Sequence, residues 1–215
     1  MSDCDKCDIN KRRDFMICGL CMEESWLEHS KSIGYMQMPF NTRLPKNNIN
    51  KGDMKNMREF SITVGLPCSG KSEFCEHLQS TFGFTIVNPN NIRLALHGQR
   101  FIKSAEPLVW AITETMVRAL LLNNHNVILN STNINKQLRS NWINLAKEFD
   151  LNLTAYVMDI PYEECIRKNS ESNRVYESVI NMMYSQYEEP DTSEGLIVIK
   201  KNLKTLNDMY GIASN

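Results

Sequence analysis

Residues 65–72 read Gly65-Leu66-Pro67-Cys68-Ser69-Gly70-Lys71-Ser72, directly behind the apolar run Ile62-Thr63-Val64. Two glycines frame the stretch, and a lysine and a serine close it. Glycine lets backbone N–H groups approach phosphate oxygens closely, and a helix beginning there turns its positive end toward them. Lys71 is then placed to reach β- and γ-phosphates, and Ser72 to ligate Mg²⁺. The reading demands a strand before the loop and a helix after it. Residues 60–64 are β-rich and residues 72–82 have helical character, so both demands are met. The stretch therefore predicts nucleoside triphosphate binding by Gly65, Leu66, Pro67, Cys68, Ser69, Gly70, Lys71 and Ser72. Cys68 reads as a tolerated small residue, not as a nucleophile.

The pattern continues beyond the loop. Strands are expected at 84–87, 127–129, 153–158 and 196–199. Helices are expected at 91–96, 106–122, 136–149, 163–169 and 177–187. Short β runs alternating with helices imply a parallel sheet with right-handed crossovers. The expected fold is α/β, a P-loop NTPase/kinase sheet flanked by helices. Trp110, Met116 and Trp142 read as core. Tyr184 and Tyr187, with Met182 and Met183, read as packing, with a base-stacking surface as the alternative.

The chain has 215 residues and a net charge of −1, so no global positive field draws it to nucleic acid. Any such contact must come from a local patch. Its opening residues are polar and acidic, unlike a signal peptide, and no apolar run approaches the roughly 20 residues that span a bilayer. An intracellular, cytoplasmic setting is expected, in which thiols stay reduced. Four of the seven cysteines fall early, as Cys4-Asp-Lys-Cys7 and Cys18-Gly-Leu-Cys21. Two such pairs close a tetrahedral site, so structural Zn²⁺ on Cys4, Cys7, Cys18 and Cys21 is expected in a small knuckle or ribbon. The expected layout is a zinc-binding segment at 1–30, a linker at 31–58, a P-loop kinase domain at 59–205 and a tail at 206–215.

The stretches SITVGLPCSGKSEF, VNPNNIR, VILNSTNIN and YVMDIPYEECIRKNSESNRV, in that order, together resemble the kinase domain of bacteriophage polynucleotide 5′-hydroxyl kinases. Related phage enzymes phosphorylate 5-hydroxymethyluracil in DNA. The resemblance runs from about residue 60 to 187 and implies ATP as donor, Mg²⁺, and a nucleic-acid hydroxyl as acceptor. It implies that Arg93 holds the acceptor's phosphate. It places Ser131, Thr132 and Asn133 on the ligand crevice, where residues at the ends of parallel strands belong. The family's base is an aspartate where this chain has Asn90, and a further aspartate where it has Ser131. Asparagine takes no proton at neutral pH, although it can position a hydroxyl. Two lid arginines of the family fall on Lys168 and Ser172, with Arg167 and Arg174 close by to supply the charge. Glu106 matches a family glutamate and reads as a helix N-terminal charge, or else as a substitute carboxylate turned inward. Asp159 reads as structural.

The expected activity is transfer of the ATP γ-phosphoryl group to a hydroxyl on nucleic acid, either on 5-hydroxymethyluracil in DNA or at a 5′-hydroxyl strand end. Lys71, Arg93, Arg167 and Arg174 are the expected catalytic residues, and Asn90 joins the substrate contacts. The alternatives are a catalytically impaired nucleotide-binding module and a small-molecule nucleoside or sugar kinase. Oligomeric state is not legible in the sequence.

Overall fold

The structure, a computed structural model, describes residues 58–202. The zinc-binding segment, the linker and the C-terminal tail lie outside these residues. Five parallel strands form one sheet: β1 (Phe60–Val64), β2 (Thr85–Val87), β3 (Val127–Leu129), β4 (Leu153–Asp159) and β5 (Leu196–Asn202), in the order β2-β3-β1-β4-β5. The helices are α1 (Lys71–Phe82), α2 (Pro89–His97), α3 (Glu106–Leu122), α4 (Lys136–Glu148), α5 (Tyr162–Ser172) and α6 (Glu177–Ser185).

β1 is the central strand and every one of its residues is buried. Its alternation splits the core in two. Phe60, Ile62 and Val64 face one apolar cluster, together with Val127, Leu129, Val117, Leu121 and Trp142. Ile128 of the neighbouring strand faces the other, with Phe74, Leu78, Cys165, Val179 and Ile180. Helices therefore cover both faces, as a fully parallel sheet requires. Each large apolar side chain so enclosed contributes about 1.5–3 kcal/mol. Thr63 is polar in this setting, and its hydroxyl is satisfied by donating to the Ser131 carbonyl at 2.8 Å.

Two boundaries differ from the sequence reading in an informative way. α2 begins at Pro89, because Asn88 caps it by accepting from the Asn90 N–H at 2.9 Å, and proline suits the first helical turn. Asn90 therefore sits inside a helix and not in an open turn. β5 continues through Lys200 and Lys201 to Asn202, because β4 offers a ladder as far as Asp159. Tertiary pairing extends a strand there that composition alone would have ended.

Behind the sheet ends, Arg139 on α4 is fully buried. Its fork donates to both Glu194 oxygens at 2.9 and 2.8 Å, and its Nη1 also donates to the carbonyls of Asn133 and Glu188. One side chain thus fixes the loop after β3 against the segment that leads into β5.

Candidate active site

The loop between β1 and α1 sits at the C-terminal end of the central strand. Gly65 has φ +150°, Cys68 +61° and Gly70 +88°. A Cβ on Gly65 would lie 2.9 Å from Ser69 Oγ and 3.1 Å from Met158 Cβ, so only glycine fits. The Gly65 N–H donates to the Thr132 carbonyl at 3.0 Å, which ties the loop to the segment after β3. Lys71 folds back on the loop: its Nζ donates to the carbonyls of Gly65, at 3.1 Å, and Leu66. The residue as a whole is half-buried, but its ammonium is enclosed. Burial pushes it down to about 8, against the pull of Cys165, Cys68, Cys75 and Glu73. A cation resting on neutral carbonyls is ready to exchange them for phosphate oxygens. Burial meanwhile raises Cys165 to about 11 and Cys75 to about 12, so these thiols stay protonated.

Ser72 accepts a hydrogen bond from Asn130 Nδ2 at 3.2 Å. Asn130 is the first residue past β3, and its N–H donates to the Val87 carbonyl at the end of β2. The sequence reading passed over it in favour of Ser131. Its signal was positional: it is the first polar side chain after three buried apolar ones. The cradle that a Cβ would fill, the lysine and the free lone pair on Ser72 together fit a magnesium nucleotide. Gly65 to Lys71 would hold the phosphates, and Ser72 with Asn130 would hold the ion, which supplies charge neutralisation at the phosphates.

A second polar group is built from α2 and α3. Arg93 is buried, and its Nε and Nη2 donate to the two Glu106 oxygens at 2.6 Å each. Its Nη1 donates to Asn90 Oδ1 at 2.7 Å, and Trp110 lies under its face at 5.8 Å. Glu106 does turn inward, but both its oxygens are engaged by Arg93, so it is no free base. It also opens α3 and complements that helix's N-terminus. Arg93 keeps one N–H on each terminal nitrogen for a ligand.

The polar residues after β3 divide. Ser131 and Thr132 are half-buried at the loop. Asn133 is buried, with φ +43°, and its amide donates to the Thr63 carbonyl at 2.8 Å. The structure thus turns Asn133 into the sheet, away from the crevice expected for it.

The segment expected to act as a lid lies between α5 and α6. Asn169 is buried and clasps Val175 twice, donating to its carbonyl at 2.7 Å and accepting from its N–H at 3.1 Å. Cys68 Sγ donates to the same Asn169 oxygen at 3.6 Å, so the phosphate loop touches the lid directly. Arg167 points outward and pairs with Glu164 and Glu171 on its own helix. Lys168 lies 3.9 Å from Glu164. The Ser172 hydroxyl bonds back to the Lys168 carbonyl at 2.9 Å. Arg174 is exposed in the lid loop, and Asp159 is exposed at the end of β4.

This strand order and loop geometry define a P-loop domain of the kinase type. Residues 61–190 match the family described as "AAA domain", and the chain belongs to it. An L-seryl-tRNA(Sec) kinase of Methanococcus maripaludis is 26% identical over 141 residues, which cover 61% of this chain and 53% of that protein. A chain of the Pnkp1/Rnl/Hen1 RNA repair complex superposes with a TM-score of 0.56 at 25% identity, covering 64% of this chain and 46% of that one. The chain thus spans about half the length of these two relatives. Kti12 of Chaetomium thermophilum, in complex with ADP-AlF3, shares the fold at 16% identity and a TM-score of 0.56, covering 73% of this chain and 100% of that one. Among the described residues no helix is long and apolar enough to cross a membrane.

Proposed function

We propose that the chain transfers the γ-phosphoryl group of ATP to a hydroxyl on nucleic acid. The observation that carries this reading is a physical connection between a nucleotide half and an acceptor half. Ser72 of the phosphate loop bonds to Asn130, and Asn130 bonds to Val87 at the strand end from which the Asn90–Arg93 helix departs. This connection supports a reading in which a phosphoryl donor on the loop meets an acceptor held by the polar residues of α2. Two relatives, an L-seryl-tRNA(Sec) kinase and a chain of an RNA repair complex, support an acceptor that is, or is carried on, nucleic acid.

The acceptor oxygen forms a bond to the γ-phosphorus, the bond from phosphorus to the β-phosphate's bridging oxygen breaks, ADP leaves, and the hydroxyl proton is released. Lys71 and the loop amides hold the β- and γ-phosphates, and Ser72 binds Mg²⁺. Asn90 and the free N–H groups of Arg93 orient the accepting hydroxyl. Arg174 supplies lid charge to the transferred group, as an arginine finger does. Arg167, engaged on the outer face of α5, has no part in this arrangement. No carboxylate is assigned as a base. A loose transition state places little demand on early deprotonation, so positioning suffices. Structural Zn²⁺ on Cys4, Cys7, Cys18 and Cys21 remains part of the reading for the N-terminal segment.

The test is incubation with γ-labelled ATP and Mg²⁺ against 5′-hydroxyl DNA, 5′-hydroxyl RNA, hydroxymethyluracil DNA and free nucleosides in parallel. Label on a strand is the expected result. Label on nucleosides alone would mark a small-molecule kinase, and nucleotide binding without transfer would mark a binding module.

A further inference from the structure

Most described arginines have their charge answered by a carboxylate. Arg93 pairs with Glu106, Arg118 with Glu114 and Glu148, Arg139 with Glu194, and Arg167 with Glu164 and Glu171. Arg58 lies apart, held by Asn124 and the Phe149 carbonyl. Arg100 and Arg174 differ: among the described residues neither meets a carboxylate, and the Arg100 guanidinium lies against the Arg174 backbone. Arg100 Nη1 donates to the Arg174 carbonyl at 3.3 Å, across 74 positions of sequence. A guanidinium that bridges two loops, with no carboxylate partner among the described residues, is available to an anion.

The location indicates which anion. Arg174 belongs to the lid loop that Asn169 clasps, and Asn169 touches Cys68 of the phosphate loop. Arg100 follows α2, the helix that carries Asn90 and Arg93. At the root of that segment, His97 Nε2 is enclosed without a partner. The Arg93–Glu106 pair between α2 and α3 carries no net charge. It suits a neutral sugar or base hydroxyl better than it suits a phosphate. Among the described arginines of α2 and the segment after it, Arg100 is the one without a carboxylate partner.

We propose that Arg100 is a specificity-determining residue that grips a phosphodiester of the acceptor strand beside the accepting hydroxyl, and so favours a nucleic-acid strand over a free nucleoside. This deepens the phosphotransfer reading and rests on it for the position of the hydroxyl. The grip itself is read by binding, which needs no transfer.

The experiment uses the full chain with Mg-ADP, a fluorescent single-stranded oligonucleotide bearing a 5′-hydroxyl, and anisotropy titrations at several NaCl concentrations. Arg100→Ala is expected to weaken strand binding about tenfold or more near physiological salt and to reduce the salt slope by about 1. Arg100→Lys, which keeps the charge, recovers the slope. ATP binding and thermal midpoint stay at wild-type values, because the side chain is exposed. Where transfer is seen, Arg100→Ala raises KM for the strand, leaves kcat unchanged, and leaves nucleoside kinetics unchanged. Equal affinity and salt slope in wild type and Arg100→Ala would overturn the proposal, as would a wild-type protein that binds no strand. Absence of transfer alongside an Arg100-dependent salt slope would remove the kinase reading and retain the grip.

Discussion

The two halves of the site are built from different materials. The phosphate loop is made of backbone: Gly65 in a conformation and a space that exclude any Cβ, Gly70 and Cys68 at positive φ, and N–H groups at a helix start. The proposed acceptor wall is made of side chains that satisfy one another, with Arg93 forked onto Glu106 and bonded to Asn90. A backbone site depends on a few residue types at fixed spacing. A side-chain site depends on which partners the fold brings together across distant positions, so chemistry can be redistributed there while the frame persists.

The largest effect belongs to the backbone half. Lys71→Ala removes the side chain proposed to bind the transferred phosphate, and transfer should fall by about 10³-fold. Thermal stability should hold or rise, since an enclosed ammonium is lost. Steady-state transfer rates and a melting curve measure both. Undiminished transfer would mean that the loop is not where the phosphate sits.

The wall should fail differently. Glu106→Ala leaves Arg93 buried without its counter-charge and is expected to cost about 3–5 kcal/mol of stability. The double replacement Arg93→Met with Glu106→Leu should recover most of that loss, because two apolar groups fill the same space. It should nonetheless lose acceptor turnover while ATP binding persists. Denaturant unfolding and calorimetry separate the two outcomes. A double variant that still transfers would show that the pair is only a structural pin.

Gly65→Ala tests the frame itself. The added methyl meets Ser69 Oγ at 2.9 Å and Met158 Cβ at 3.1 Å in a conformation few side chains adopt. Strain of about 1–3 kcal/mol is expected, together with weaker nucleotide binding. Chemical denaturation with and without Mg-ATP reads both quantities.

The same contrast explains what was legible in advance. The strand–loop–helix at residues 60–82 was readable because glycine spacing and apolar runs report backbone geometry directly. The alternation of strands and helices was readable for the same reason, down to the buried runs at 127–129 and 153–158. Asn133 was misplaced because a small polar residue at a strand end can face either way. What decided its direction was the Thr63 carbonyl, 70 positions away. Asn169 and Arg139 went unnoticed for a related reason. Each acts by completing bonds to distant segments, and no local pattern announces such a partner.

Lys71 also carries a pH signature with two opposite signs. Burial holds its folded pKa at about 8, below the ordinary 10.5. Between those values the unfolded chain keeps a proton that the folded chain has lost. This group's contribution to stability therefore rises with pH across the window. Nucleotide binding needs the protonated form, so affinity for Mg-ATP should fall about tenfold per pH unit above about 8. Calorimetric titrations from pH 7 to 9.5, with Lys71→Arg as a control that stays charged, test the sign. A flat wild-type profile would mean that the ammonium is better solvated than its carbonyl cage implies.

The smallest expected effect sharpens the lid assignment. Arg167 and Arg174 were equal candidates in the sequence, seven positions apart on either side of the end of α5. The fold separates them. Arg167 is 56% exposed and spends its fork on Glu164 and Glu171, one turn away on either side. Helix-surface pairs of this kind contribute little, so Arg167→Ala should leave transfer within about twofold of wild type and the melting midpoint unmoved. Arg174 has no such partners among the described residues, and its loop is pinned beside Cys68 through Asn169. Arg174→Ala should lower kcat by at least about 10²-fold with KM for ATP little changed, as expected for charge supplied only to the transition state. Rates of the two variants measured side by side decide the matter. A large loss in Arg167→Ala would mean that α5 turns over when nucleotide binds and that its ion pairs are a resting arrangement.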